Sequence, residues 1–328
     1  MADTYLALRV NQRGSLDELH IESLQFPELK EEEVLVKMEY STINPSDYAN
    51  VLGRYPGIAF PTTPGFEGSG TVIKSGGGEH ADSLLNKKVT VVYIGTWAEY
   101  CKAPSCNVFP LLPTVSLEQA ASLNVNPLTI ALFIEKISQQ KSKSFVQNAA
   151  ASSLGKQLIK WSNRLGFKSI NLVRRQEQVD LLRSIGAEYV FNTSEDGWKN
   201  QAKIVSREIG ATCGFDAIAG SETNDLAQIL ENGGVVYNYG RLSGKNAEVG
   251  PEALMFEGKR IEGLWVLSWL ERKNSKEKYE TSLRIQENID IFEKEYSKVI
   301  TLEEVKDAIE PYMKNATNNK ILIKIGRD

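Results

Sequence analysis

Between Ser144 and Arg175 the chain carries residues whose types and order suit one kind of chemistry, the holding of a dinucleotide. The apolar run Ser144-Phe145-Val146-Gln147 leads into Asn148-Ala149-Ala150-Ala151-Ser152-Ser153-Leu154-Gly155. These residues are small enough to let a phosphate reach the backbone where the next helix starts, with close backbone approach and the Ser152 and Ser153 hydroxyls donating. Gly155 holds the last position of a Gly-x-Gly-x-x-Gly fingerprint whose other glycines are replaced by Ala and Ser. Leu154, Leu158, Trp161 and Leu165 recur at helical spacing, which predicts one face buried against a sheet, and Gly166 ends the helix. The next strand, Ser169 to Val173, stops at Arg174 and Arg175, where such a unit reads its ribose. An acidic residue there would accept from a free 2′-hydroxyl; two guanidinium groups suit a 2′-phosphate, so the expected cofactor is NADP. The bland alternative is an ordinary strand-turn-helix with solvated arginines.

Metal chemistry has little to work with. His20 and His80 are the only histidines, and Cys101, Cys106 and Cys213 are too few and too scattered for a disulfide framework. That cysteine usage suits a reducing compartment, and a cytoplasmic protein is expected. At 328 residues the chain suggests two domains. A net charge of −4 and a pI near 5.6 give no basic field for nucleic acid or an anionic membrane surface, and neither is an expected partner. No apolar run reaches spanning length, and the start, Met1 to Leu8, is acidic and strand-like, unlike a cleavable signal.

The elements that must position these residues fall into two textures. Up to about residue 110, short strands alternate with turns: Tyr5 to Val10, Leu19 to Gln25, Glu33 to Tyr40, Gly68 to Lys74, Lys88 to Tyr93 and Ala98 to Lys102. Ser116 with Gln119 then forms a capping box that opens the helical part. From Pro127 to Val266 strands and helices alternate, with strands near 144–148, 169–173, 188–191, 214–218, 234–238 and 260–266, which implies a doubly wound parallel sheet. A charged helix from Ser275 to Lys298, a helix opened by the capping box Thr301-Leu302-Glu303-Glu304 and a last strand, Lys320 to Ile325, complete the chain. The expected division is a β-rich barrel from 1–120 and 268–328, interrupted by a nucleotide domain at 121–267.

With these residues in view, the chain resembles the medium-chain dehydrogenase/reductase superfamily over essentially its whole length, which implies a GroES-like barrel joined to a Rossmann domain. Gly65-Phe66-Glu67-Gly68-Ser69-Gly70, with Gly76 six residues on, is similar to the Gly-His-Glu signature of the zinc alcohol dehydrogenases, with Phe66 in place of the ligand histidine. A benzyl group cannot coordinate Zn²⁺, the four-cysteine structural lobe is missing, and Cys101 with Cys106 read as core packing, so no zinc is expected. Within the zinc-free branch, Ile43-Asn44-Pro45-Ser46-Asp47 followed by Gly53-Arg54-Tyr55-Pro56 resembles the enoyl-thioester reductase loop that carries the active-site tyrosine. Asn124-Val125-Asn126-Pro127-Leu128-Thr129, Val146-Gln147-Asn148-Ala149, Ile170 to Arg174 and Glu262-Gly263-Leu264-Trp265-Val266 are similar to that family's cofactor segments.

The resemblance implies roles residue by residue. Tyr55 would be the acid, since reduction of a conjugated carbonyl delivers hydride to the β-carbon and leaves an enolate that a positioned phenol can stabilise and protonate. Its bland reading is a turn tyrosine packed on the barrel rim. Asn126 would bond near the nicotinamide ribose, although Asn before Pro is also a turn former. Ala151, Ser152, Ser153, Leu154 and Gly155 would take the pyrophosphate, and Tyr239-Gly240 would lie against the adenosine phosphate. The backbone of Leu264, Trp265 and Val266 would meet the nicotinamide, and Lys320 would contact cofactor. Asn44 and Asp47 receive no role, Asn-Pro-Ser-Asp being equally a turn sequence. The implied activity is NADPH-dependent reduction of a trans-2-enoyl thioester, with quinones or enones as the alternative substrates and a catalytically silent NADPH-binding sensor as the alternative of another class. A homodimer is implied by the resemblance alone.

Overall fold

The computed structural model describes residues 3–314 and 320–326; Met1 and Ala2, at the head of the strand-like start, lie outside the described residues. The chain divides into two compact units, one from Met1–Leu128 with Arg272–Asp328 and the other from Thr129–Glu271.

The first unit is β-rich. Strands β1 (Thr4–Val10) and β2 (Leu19–Gln25) pair antiparallel, Val10 opposite Leu19. A seven-stranded sheet is built from β3 (Glu33–Thr42), β4 (Gly68–Ser75), β5 (Lys88–Val91), β6 (Tyr100–Pro104) and β7 (Val108–Pro110), and it is completed from the far end of the chain by two further strands, β14 (Lys298–Ile300) and β15 (Ile321–Lys324). Strand β3 is its centre, pairing antiparallel with β4, β6 and β15. Close approach of β4 to its neighbours requires small residues: a Cβ on Gly70 would stand 2.0 Å from the Lys37 carbonyl oxygen, and one on Gly68 2.6 Å from that of Tyr40. The core of this unit gathers Val36, Met38, Val72, Val89, Trp97 and Ile323.

The second unit is a six-stranded parallel sheet in the order β10-β9-β8-β11-β12-β13, from β8 (Ser144–Gln147), β9 (Lys168–Val173), β10 (Tyr189–Asn192), β11 (Cys213–Asp216), β12 (Val235–Asn238) and β13 (Arg260–Gly263). Strands β8 and β11 are buried throughout, as parallel strands covered on both faces must be. The chain runs outward from β8 through β9 to β10 and then restarts at β11 on the other side, so the order reverses between β8 and β11. In an open α/β sheet that reversal opens the crevice where ligands bind.

Three expectations about elements need correction. Leu165 is 44% exposed at the end of the helix Ser153–Arg164, because the chain turns away there at Gly166 (φ +75°), and Ile159 is buried in its stead. The strand expected at 260–266 stops at Gly263; Val266–Glu271 is helical and Trp265 is 39% exposed. The helix expected from Ser275 to Lys298 ends at Glu287, where Asn288 leaves helical geometry, and a short turn Ile289–Phe292 follows. Lys298 opens β14, a strand too short to announce itself by alternation. Both halves of the Ser116–Gln119 capping box are present.

Candidate active site

In the nucleotide unit every candidate residue follows the carboxyl end of a strand, and parallel strands bring those ends to one edge of the sheet. Ala151 to Gly155 follow β8, Arg174 and Arg175 follow β9, Tyr239 and Gly240 follow β12, and Leu264 to Val266 follow β13. The turn after β8 is tight: Ala149 is left-handed (φ +47°), and Ser152 caps the helix Ser153–Arg164 by accepting the Gly155 N–H at 3.1 Å. A Cβ on residue 155 would stand 2.4 Å from the Ala150 carbonyl oxygen, which explains why this one glycine of the fingerprint survives. The first-turn amides of Ser153 and Leu154 have no carbonyl to meet within the helix, so this N-terminus offers N–H groups and two hydroxyls to an anion. Gly240 is a second forced glycine, its Cβ position lying 2.5 Å from the Ala217 carbonyl oxygen.

The crevice between β8 and β11 is braced by Asp216, which is fully buried. It accepts from Asn148 Nδ2 at 2.7 Å, Thr223 Oγ1 at 2.6 Å, the amides of Ile218 and Ala219 at 2.9 Å each, and Asn238 Nδ2 at 3.2 Å. Asn148 Oδ1 in turn accepts the Ala217 N–H at 2.8 Å. One carboxylate thus holds together the loops that follow three adjacent strands. Gln147 and Asn171, from segments expected to meet cofactor, are both fully buried, and Gln147 Nε2 donates to Asn171 Oδ1 at 2.8 Å across β8 and β9.

Arg174 and Arg175 are exposed. Arg175 pairs with Glu177 at 2.9 Å, while burial raises the Glu222 carboxyl and the nearby Arg174 charge partly offsets that rise. Exposed pairs of this kind are worth about 0–1 kcal/mol, so a phosphate can take the guanidinium groups over. The Tyr239 ring packs edge-on against Phe133 with centroids 4.8 Å apart, and burial pushes its hydroxyl up. Leu264 donates its N–H to the Asn238 carbonyl at 2.8 Å, which extends the ladder one residue past β13 and leaves Trp265 at the start of the next turn.

In the barrel unit the sequence reading missed the organising residue. Glu67 is fully buried and accepts from Asn44 Nδ2 at 2.8 Å, Thr42 Oγ1 at 3.0 Å and the backbone N–H groups of Val125 and Asn124 at 2.8 and 3.1 Å. The Lys320 ammonium lies 3.5 Å away. Burial alone would raise the Glu67 carboxyl, but the Lys320 and Lys294 charges with these hydrogen bonds hold it below its ordinary value. Lys320 is itself buried and also donates to Asn44 Oδ1 at 2.7 Å and the Ile43 carbonyl at 3.1 Å. Two hydrogen bonds and the Glu67 charge therefore hold the ammonium inside this unit. Desolvation lowers the Lys320 ammonium, with Glu67 and Asp47 opposing. The signal in the sequence was the glycine spacing around residue 67, since only closely packed strands need it; the partner 253 positions away carried none.

Asp47 is also fully buried; its carboxylate accepts the Asn44 N–H at 2.7 Å and the Phe66 N–H at 3.0 Å, and burial pushes it up to about 7. The Phe66 ring stacks, tilted by 38°, on that of Tyr55, centroids 4.8 Å apart, and Tyr55 is half-buried in the irregular segment after the helix Pro45–Val51. Asn126 lies within the first turn of the helix Val125–Gln139, so the alternative reading of it as a turn former gives way to a helix start, and Pro127 is accommodated there because first-turn residues need no intrahelical N–H bond.

These residues do not fit a zinc ion. Phe66 offers no lone pair, the Glu67 oxygens are saturated, and burial pushes the Cys101 and Cys213 thiols up to about 12. No group of three or more His, Cys, Asp or Glu side chains among the described residues is arranged to share a metal.

Comparison with known proteins agrees with the fold. Residues 30–113 match the family model of the alcohol dehydrogenase GroES-like domain, and residues 153–285 that of the zinc-binding dehydrogenases. A Caenorhabditis elegans protein named enoyl-[acyl-carrier-protein] reductase, mitochondrial, is 30% identical over 76% of this chain and 75% of its own, and an Arabidopsis thaliana protein of the same name is 29% identical over 83% and 74%. Among solved structures, a Mesorhizobium loti protein provisionally named an NADPH:quinone reductase is 28% identical with a TM-score of 0.88, covering 99% of both chains. A Bacillus thuringiensis protein with the same provisional name is 26% identical with a TM-score of 0.91, covering 99% of this chain and 100% of its own.

Proposed function

Because the chain belongs to the medium-chain dehydrogenase/reductase superfamily, in its branch of enoyl and quinone reductases, we propose that this oxidoreductase uses NADPH to reduce an activated carbon-carbon double bond, that of a trans-2-enoyl thioester on coenzyme A or acyl carrier protein. The observation that carries the reading is the Tyr55 phenol held against Phe66 at the position where zinc-dependent relatives keep a metal ligand.

The nicotinamide, when bound, supplies the hydride. The chain's own residues do the rest. Ser152, Ser153 and the amides of the helix start hold the pyrophosphate, while Arg174 and Arg175 take the 2′-phosphate as charge-assisted donors. Tyr239-Gly240 flank the adenosine phosphate, Asn126 bonds the nicotinamide ribose, and the backbone of Leu264, Trp265 and Val266 orients the nicotinamide. Tyr55 donates through its Oη to the developing enolate oxygen and gives a proton to the α-carbon. Lys320 serves from behind, holding Asn44 and Glu67 in place.

The quinone reading stays as the second, supported by the whole-length likeness to the two structures provisionally named NADPH:quinone reductases. A panel of 2-enoyl thioesters and quinones, each with NADPH and NADH, separates the two: the enoyl reading requires faster NADPH oxidation with thioesters, and turnover of quinones alone overturns it. Tyr55→Phe is expected to lower enoyl turnover by about 10²–10⁴ with NADPH affinity unchanged. Homodimerisation along the edge strand β13 and cytoplasmic residence belong to the same reading, to be checked by sedimentation and cell fractionation. Three unpaired cysteines support a reducing compartment, while the enoyl reductase relatives are named mitochondrial. Among the described residues no helix is long and apolar enough to cross a membrane.

A further inference from the structure

We propose that Phe66 is the positioning residue of the Tyr55 phenol, and that the buried carboxylates of Asp47 and Glu67 serve to fix Phe66 from both sides; the inference rests on Tyr55 acting as the proton donor. A proton donor has to be held within about half an ångström of its productive position, and an irregular, half-exposed segment does not provide that by itself. Here the segment is tethered at Gly53, at Arg54 and at the Tyr55 ring. The helix Pro45–Val51 ends three residues before Tyr55, and the tether folds back on it through Gly53 N–H to the Asn50 carbonyl at 2.8 Å and Arg54 N–H to that of Ala49 at 2.9 Å. The Tyr55 ring meets the Phe66 ring at 4.8 Å. Phe66 donates its backbone N–H to Asp47 Oδ1 at 3.0 Å, and Asp47 belongs to the same helix, where its other oxygen accepts the Asn44 N–H at 2.7 Å.

The path from helix to phenol to platform and back to the helix is therefore closed. On the other flank of Phe66, Glu67 is held by Thr42, Asn44, Asn124, Val125 and Lys320, so the platform cannot slide along the chain without breaking that set. Packing alone accounts for this less well. Phe66 is 4% exposed yet lies outside the main apolar cluster of its unit, and the ring it touches belongs to a half-exposed loop.

A double-mutant cycle tests the inference on the full chain with NADPH and whichever acceptor it turns over. Phe66→Leu is expected to lower kcat about ten- to a hundredfold while the dissociation constant of NADPH, read by fluorescence, stays put. In a Tyr55→Phe background the same change should cost less than about twofold, because a residue that acts through the phenol has nothing left to position. Equal losses in both backgrounds, or an unchanged kcat for Phe66→Leu, overturn the proposal. If Tyr55→Phe alone leaves turnover intact, the assignment of the acid fails, and the positioning role fails with it. Should Phe66→Leu not fold, Phe66→Met, closer in volume, is read in the same way.

Discussion

Two helices of this protein start at what the sequence reading took for parts of one cofactor site, and they treat their exposed N–H groups in opposite ways. The helix Val125–Gln139 receives a full negative charge at its start, Glu67 accepting from Asn124 and Val125. The helix Ser153–Arg164 is capped by the neutral Ser152 hydroxyl, which accepts the Gly155 N–H. Each N-terminus attracts an anion; the first has one built in, and the second is where the proposed function seats the pyrophosphate. The lesson is that small residues before a helix mark a site only when the fold brings no carboxylate to fill it.

The contrast breaks hardest at Glu67. Glu67→Ala leaves the buried Lys320 ammonium without its counter-charge, and a loss of about 3–5 kcal/mol is expected in denaturant unfolding. Glu67→Gln, which keeps the shape and one acceptor, should lose less. A loss within error for both variants would show that the charge is not what holds this helix.

Next comes acidity. Asp47 sits near 7 in the folded protein against an ordinary 3.8, so between these pH values the folded chain keeps a proton that the unfolded chain has released. Stability contributed this way is complete below about pH 4 and is lost as pH rises through about 7, on the order of 4 kcal/mol in all. Asp47→Asn should flatten the stability profile across that window, and an unchanged slope in urea titrations would contradict the assignment.

The open N-terminus is expected to give smaller effects. Gly155→Ala forces the Ala150 carbonyl and the helix start apart, with about 1–3 kcal/mol lost and NADPH affinity lowered by calorimetry. Smallest, replacing Arg174 and Arg175 together by Ala should cut the preference for NADPH over NADH by about tenfold, roughly 1.4 kcal/mol, with NADH affinity unmoved. Retained discrimination would place the 2′-phosphate elsewhere.

The sequence made the second of these helix starts legible and hid the first. The turn after β8 and its helix are contiguous, so small residues, capping Ser152 and the buried face of Leu158 and Trp161 can be read along one stretch. Local signals failed at Leu165 and at Leu264 to Val266, because an apolar residue past a helix or strand end looks like one inside it, and again after Glu287, where a charged helix pattern runs on past the true helix end. Of the Glu67 cluster only the glycine spacing around residue 67 could be read, not its partners. Its members lie on β3, the loop before β4, a helix start and the threshold of β15, and only tertiary pairing gives Glu67 its cation. Tyr55 was singled out only through family likeness, while Asp47, which accepts the Phe66 N–H, resembled a turn residue and Phe66, whose ring meets that of Tyr55, a lost metal ligand.

The late arrival of β15 has a consequence for the birth of the molecule. The nucleotide unit is one unbroken stretch, so it can fold on the ribosome as soon as residue 271 has emerged. The barrel unit has to wait. Lys320 follows its partner Asn44 by 276 positions, and at about 5–20 residues per second that interval is on the order of tens of seconds. Throughout it, β3 lacks its β15 neighbour and Glu67 lacks its counter-ion, so the half-made barrel presents a bare strand edge and an uncompensated acid. Nascent chains stalled before residue 320 should therefore engage chaperones through the barrel segment while the nucleotide unit already resists protease.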